Sequence, residues 1–177
     1  MYGKKYFLTV ASAVIFLATG CSQQIKSGIP AVKELSLERY CGKWYEIARL
    51  PNSFERGMSD VYTIYTLQKN GTVKVVNYGR KNGRLHSVSG IARAVENGGG
   101  GELEVSFFRP FYGSYRIIKL APDYSYSVVM GNSRELLWIL ARSPELTPEQ
   151  STEIRDFLNM HRFPVEKLIW RADFNTQ

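Results

Sequence analysis

From residue 44 onward, apolar and polar residues alternate in one run after another, a period of two that belongs to half-buried strands. The runs cover 44–49, 60–68, 72–80, 84–95, 102–108, 113–121, 124–131 and 135–142. They are rich in Tyr, Val, Ile, Thr and Phe, and turn residues interrupt them about every ten positions, the spacing of an all-β barrel or sandwich. Asn70-Gly71 and Asn82-Gly83 supply hairpin turns, since both residue types accept positive φ. Pro110 and Pro122 mark breaks between strands. The tetraglycine Gly98–Gly101 reads as a loose hairpin loop; no Lys-Ser/Thr pair or helix start follows it, so it does not cradle phosphate.

Two stretches change period. Ser36–Tyr40 reads as a short helical turn ahead of Gly42. After the eighth strand, Thr147 can cap a helix, Pro148 fits its first position and Gln150 completes a capping box. Ile154, Phe157, Leu158 and His161 then fall on one face, which must lie against the outside of the sheet. A ninth run, Val165–Arg171, can pair alongside. The longest connection, Leu50–Ser59, has room to fold across an open end as a lid, with Phe54 and Met58 as apolar contacts. In Gly42-Lys43-Trp44 the glycine permits a tight turn and the tryptophan can plug what the strand encloses. The pattern predicts a closed barrel with one stoppered end. If Trp44 faces in, alternation sends Glu46 and Ala48 in with it. An inward Glu46 either carries a raised pKa or pairs with a neighbouring arginine.

The first twenty residues stand apart. Lys4 and Lys5 precede the apolar run Tyr6–Ala18, which is too short to span ~30 Å of hydrocarbon and reads as a secretory signal. Leu17-Ala18-Thr19-Gly20-Cys21 resembles the bacterial lipobox, in which the cysteine thiol receives a diacylglycerol and the freed amine a third acyl chain. Several chains at ~0.8 kcal/mol per methylene hold a protein durably on a bilayer. Ser22 stands where aspartate is the usual inner-membrane retention signal, so resemblance to that rule points to the outer membrane of a Gram-negative cell. The chain then divides into a cleaved signal (1–20), a lipid-anchored tether (21–34) spanning about 20 Å as a flexible chain, and one domain (35–177).

Charge and composition exclude more than they assign. Loss of Lys4 and Lys5 lowers the formal net charge from +7 to +5. The remaining basic residues are scattered and no recognition motif accompanies them, which argues against nucleic acid; they suit a solvated surface or contact with anionic lipid. Of two cysteines, Cys21 is assigned to lipid, so Cys41 has no intramolecular partner and reads as a small buried hydrophobe. His86 and His161 are the only histidines, too few for a recurrent metal site, and no Ser-His-Asp grouping or His-Glu-x-x-His run appears. No cofactor is expected and the chain is not read as an enzyme. Whether two copies pair is left open.

The element order and three local motifs resemble the lipocalin family. Gly42-Lys43-Trp44 matches its first motif; Asp123-Tyr124-Ser125-Tyr126 is similar to the second, with Pro122 replacing the usual threonine; Arg142 is similar to the third. The stretches Trp44–Arg49, Phe54–Gly57, Ser106–Gly113 and Leu137–Arg142, with the lipobox, resemble the bacterial outer-membrane lipocalins, relatives of apolipoprotein D. The resemblance runs from Leu35 to Trp170, and Cys41 is its least expected residue. It implies an eight-stranded antiparallel up-and-down barrel, a C-terminal helix outside it, and Arg142 across Trp44 at the closed end, a contact of ~0.5–2 kcal/mol.

It further implies room for one small ligand. With Arg142 at the closed end, Leu140, Trp138 and Leu136 face inward; the fifth strand offers Val105 and Phe107 against Ser106 and Phe108, and the seventh Tyr124, Tyr126 and Val128. The expected pocket residues are Phe54, Tyr65, Phe107, Tyr126, Leu136, Trp138 and Leu140. The chain holds 11 tyrosines, 9 phenylalanines and 3 tryptophans, walls suited to an amphiphile. Enclosing sixteen methylenes gains about 13 kcal/mol against water but nothing against a bilayer, so such a pocket ferries lipid without trapping it. Fatty acids and lysophospholipids are the expected ligands. Two rival readings are a barrel filled by its own side chains, acting as an envelope structural or interaction module, and an isomerase using the Cys41 thiol. The second lacks a neighbouring histidine to lower the thiol pKa.

Overall fold

A computed structural model describes residues 28–171; the signal segment, Cys21 and the start of the tether lie outside them. The element order is α1 (Leu37–Tyr40), β1 (Gly42–Arg49), β2 (Ser59–Leu67), β3 (Val73–Lys81), β4 (Arg84–Ala94), β5 (Glu102–Phe108), β6 (Phe111–Leu120), β7 (Tyr126–Met130), β8 (Leu137–Ala141), α2 (Pro148–Met160) and β9 (Ile169–Trp170). Neighbouring strands pair antiparallel in sequence order, and β1 pairs with both β2 and β8, which closes the ladder into an eight-stranded barrel. Beyond Tyr45, β1 parts from β2 and β9 takes the vacated edge opposite Ala48 and Arg49. The hydrogen-bonded ladder is complete within residues 42–170.

Two apolar clusters separate the inner and outer faces. Inside the barrel, Tyr40, Trp44, Tyr65, Val73, Val75, Ala92, Ile117, Val129 and Leu140 form the core. Outside it, Ile154 and Leu158 of α2 bury against Val128, Met130, Leu137, Ile139 and Ala141 of β7 and β8. The capping box holds α2 at its start: Thr147 Oγ1 accepts from the Gln150 amide and the Gln150 side chain accepts from the Thr147 amide. His161 serves as the C-cap and lies 4.5 Å from the Phe157 ring.

The elements depart from the expected ones where turns compete with alternation. Tyr124 takes φ +64° and its amide donates to Ala121, so residues 124 and 125 belong to the β6–β7 turn and β7 starts at Tyr126. Leu136 donates to Ser133 in a turn, so β8 starts at Leu137, two residues later than the run 135–142. The run 165–171 divides into a single 3₁₀ turn, Val165–Lys167, and the two-residue β9, because Phe163 and Leu168 both anchor in the outer core.

One irregularity matters most for the interior. The register of β1 against β8 slips between Glu46 and Ala48, leaving Ile47 as a β-bulge. A bulge reverses the face of everything beyond it. Ala48, expected inside, therefore opposes Ile139 on the outer face, and Arg49 turns inward opposite Trp138.

Candidate functional site

The closed end is built by α1 and the first residues of β1. Gly42 has φ +102°, and a Cβ there would stand 3.2 Å from Arg142 Nη1, so glycine is required twice over. Trp44, fully buried, donates its indole N–H to the Tyr40 carbonyl at 2.7 Å. The Arg142 guanidinium lies 3.9 Å from the Trp44 ring centroid. It donates to the carbonyls of Arg39, Tyr40, Cys41 and Lys43 at 2.6–3.1 Å, satisfying the chain as it rounds α1 into β1. Asp123 and Tyr124 complete this end: the Asp123 carboxylate accepts from the Ser125 amide, and the Tyr124 hydroxyl accepts from the Ser36 amide.

Above the stopper sits a layer of three tyrosines. The Tyr115 hydroxyl is 2.8 Å from both Tyr40 and Tyr65 hydroxyls, and Tyr40 also reaches Ser127 Oγ at 3.2 Å. Burial pushes the Tyr40 hydroxyl up to about 12 and raises those of Tyr65 and Tyr115 as well, so the layer is neutral and its protons are shared internally. Leu140, Val129, Val75 and Ala92 fill the wall around it.

The upper half carries charge. Because of the bulge, Glu46 and Arg49 share the inner face, and Arg49 Nη1 donates to Glu46 Oε1 at 2.7 Å with both side chains almost wholly buried. Burial and the nearby Glu55 carboxylate raise the Glu46 carboxyl well above its usual range, against the opposing pull of Arg49. Arg49 Nη2 donates to the carbonyls of Glu55 and Met58, which belong to the long β1–β2 connection. That connection is a lid, tied down from inside the barrel. Its Glu55 carboxylate also accepts the Trp138 indole N–H at 2.9 Å and the Asn52 amide at 2.8 Å.

The expected pocket residues divide into three groups. Tyr65, Phe107, Trp138 and Leu140 are brought together on the inner face, and Leu136 reaches the same region from the turn beside Gly131. Phe107 covers Gly90 so closely that any Cβ there would meet its ring at 2.7 Å. Tyr126 is a correction: it and Val128 face outward beneath α2, because the β6–β7 turn consumes Tyr124 and leaves Ser127 and Val129 as the inward pair. Phe54 is the second correction. The bonds at Glu55 and Met58 hold the lid backbone inward and leave the Phe54 ring 75% exposed. Tyr115, Arg49 and Glu55 were not expected in the interior. Tyr115 follows from alternation outward from Gly113; Arg49 is betrayed only by the adjacent apolar pair Ile47-Ala48, which breaks the period of two.

Away from the stopper the inner face of β4 reaches solvent. Val88 pairs with Asn77, which pairs with Thr63 opposite Trp44, so all four share the inner face, yet Val88 is 40% exposed. A separate cleft of about 180 Å³ lies beside the lid, lined by Arg49, Pro51, Asn52, Ser53, Arg56 and Ile169. Cys41 sits at the closed end with its thiol pushed up by burial, the opposite of an activated nucleophile. No cluster of metal-ligating side chains occurs among the described residues.

A barrel stoppered by an Arg–Trp pair, walled with aromatic and aliphatic side chains and covered by a tethered lid has the architecture of a calyx. The chain belongs to the lipocalins: the family described as "Lipocalin-like domain" matches residues 35–173. It is 37% identical over 168 residues to the outer membrane lipoprotein Blc of Citrobacter freundii, covering 92% of this chain and 95% of that one. It is 34% identical over 148 residues to bovine apolipoprotein D, covering 78% and 77% of the two chains. Among solved structures, insecticyanin from the tobacco hornworm Manduca sexta superposes with a TM-score of 0.65 at 20% identity, over 80% of this chain and 82% of that one, a likeness of fold. The lipocalin scaffold and the outer-membrane relatives place the chain among the outer membrane lipocalins of Gram-negative bacteria.

Proposed function

We propose that the protein is acylated at Cys21 and binds single-chain amphiphiles, fatty acids or lysophospholipids, which it stores or carries in the cell envelope. The observation behind this reading is the calyx: an apolar, aromatic interior closed at Trp44 and open near Val88. An acyl chain slides along the inner faces of β4, β5 and β8, and its headgroup stays at the mouth. The interior cation is already engaged by Glu46 and by the lid, so a free carboxylate finds no unmatched positive charge there. Lifting of the lid, which breaks the Trp138–Glu55 bond, widens the mouth for an entering chain. Transfer between membranes is near thermoneutral, since the chain is out of water at both ends of the journey.

The tyrosine layer supports a second reading, a barrel filled by its own side chains that serves as an envelope interaction module. Titration separates the two. The chain starting at residue 22, which retains the whole closed ladder, is titrated with lysophosphatidylcholine and with palmitate while tryptophan fluorescence is followed. Saturable one-to-one binding, weakened by Trp138→Ala, is expected. No response from a folded protein would move the conclusion to the filled module.

A further inference from the structure

The strands alternate direction, so the lid and the β3–β4, β5–β6 and β7–β8 turns all gather at the open end. The large apolar side chains that the described residues leave exposed gather there too. Phe54 is on the lid, Leu85 and Val88 follow the β3–β4 turn, and Phe108 and Phe111 flank the β5–β6 turn at more than 75% exposure. Met160 ends α2, whose C-cap carbonyl is held by Arg134 of the β7–β8 turn, so it belongs to the same rim. None of these six residues is at the closed end. A monomer gains nothing from sorting its exposed aromatics to one rim, and such a patch marks an interaction surface.

Charge at this rim is one-sided. Arg56, Lys81, Arg84 and Arg109 are exposed, and none makes an ion pair among the described residues. Of the acids nearby, Asp60 is paired with Arg80 and Arg171, and Glu55 is turned inward to Trp138. Glu135 and, ahead of β9, Glu166 are the exposed acids without an ion pair that stand against the four cations. Aromatic tips ringed by arginine and lysine are the composition of a segment that settles at an anionic headgroup boundary.

The N-terminal chain points the same way. The Ile29 carbonyl accepts from Arg116, and Val32 bonds Ile117 and Gly101, so the chain descends along β6 toward Ser36 at the closed end. Ile29 thus lies nearer the open end than Ser36 does. Cys21 is seven residues before Gly28, a reach of at most ~25 Å. From Arg116 to Phe111 is five strand residues, about 17 Å. An acyl group on Cys21 can therefore lie level with the Phe108–Phe111 turn.

We propose that the open end is a membrane-docking face: Phe54, Phe108 and Phe111 settle into the headgroup boundary of an anionic phospholipid bilayer, with Arg56, Arg84 and Arg109 against its phosphates, so that the calyx mouth opens onto the bilayer from which its ligand comes. The inference rests on the reading of the protein as a membrane-anchored carrier. The test isolates it from both parts of that reading by using no acyl group and no added ligand. The chain from residue 22 is sedimented with vesicles of phosphatidylethanolamine containing phosphatidylglycerol. Binding is expected to fall on the order of tenfold for Arg84→Glu with Arg109→Glu, and similarly for Phe108→Ser with Phe111→Ser. Lys69→Glu with Lys74→Glu, toward the closed end, should change it little. In a Phe108→Trp variant, brominated lipids should quench the added tryptophan. Equal binding by all variants, or fluorescence from the introduced indole that brominated lipid leaves unquenched, overturns the proposal. So does concentration-dependent self-association without vesicles that the Phe108/Phe111 variant abolishes, which would assign the face to a second copy of the chain.

Discussion

If the Trp138–Glu55 bond latches the lid, removing either partner should speed ligand uptake, and removing both should add nothing further. Glu55→Met keeps the length of the side chain but removes the acceptor, and Trp138→Phe keeps an inner-wall ring while deleting the N–H. A hydrogen bond to a charged acceptor contributes roughly 1.5–3 kcal/mol net. Trp138 is half-buried and the Glu55 side chain 16% exposed, so water competes and the lower figure applies. About 1.4 kcal/mol corresponds to a tenfold change in the open fraction, and apparent affinity scales with the fraction competent to bind. Each single variant should therefore raise the association rate for lysophosphatidylcholine about tenfold. The double variant should match the singles, giving a coupling energy near the full effect of either. Stopped-flow tryptophan quenching supplies the rates, with Trp44 and Trp170 remaining as reporters in the Trp138→Phe background. Additive effects, or no change in association rate in either single variant, would refute the latch and leave Arg49, through its bonds to the Glu55 and Met58 carbonyls, as the sole restraint.

Three other outcomes follow from the same geometry. Arg142→Ala removes the contact with Trp44 and leaves several carbonyls without a donor, so urea unfolding should show a loss of about 3 kcal/mol, of which Arg142→Lys recovers less than half because a point charge cannot span the same carbonyls. Arg49→Met strands two carboxylates beside each other inside the barrel and should cost about 3–5 kcal/mol, whereas Arg49→Met combined with Glu46→Leu should recover much of it. The folded Glu46 carboxyl is raised above its ordinary 4.5, so the folded state holds a proton that the unfolded chain releases. The stability this contributes is fully present below that value and is lost as pH rises through the folded pKa. Glu46→Gln should accordingly gain on the parent as pH is raised from 4.5, measured as the difference in urea midpoints; a constant difference across that range would show that Glu46 titrates normally.

Much of the barrel was legible because its signals are local. Strand alternation, Asn-Gly turns and the Thr147–Gln150 capping box each act within a few residues, and the structure realises each of them. The motif residues Gly42, Trp44 and Arg142 were also legible, since a glycine at φ +102° and an Arg–indole stack are demands that few other residue types can meet. Tyr126 and Phe54 were misplaced for opposite reasons. The first error was one of register: a turn at Tyr124 displaces the strand start and moves a whole face. The second came from assigning a lid's apolar residue to the pocket, when the lid is held by its backbone carbonyls and by Glu55 instead.

The bulge at Ile47 links these partial readings. Strict alternation in β1 would have put a small apolar Ala48 inside and a charged Arg49 outside, the arrangement that costs least in desolvation. The chain instead leaves one strand residue unpaired and brings a guanidinium into the barrel, where Glu46 from the same strand accepts its N–H at 2.7 Å. A buried pair of this kind seldom adds stability over well-packed apolar residues. Its effect here is positional. From the inner face Arg49 reaches two lid carbonyls that an outward arginine could not touch, and it sits 4.0 Å from the Glu55 carboxylate that holds Trp138. The deviation that sequence periodicity could not foresee is thus the one that fastens the lid to the wall, so a variant of Ile47 that straightens the strand should release the lid without altering any residue that touches it.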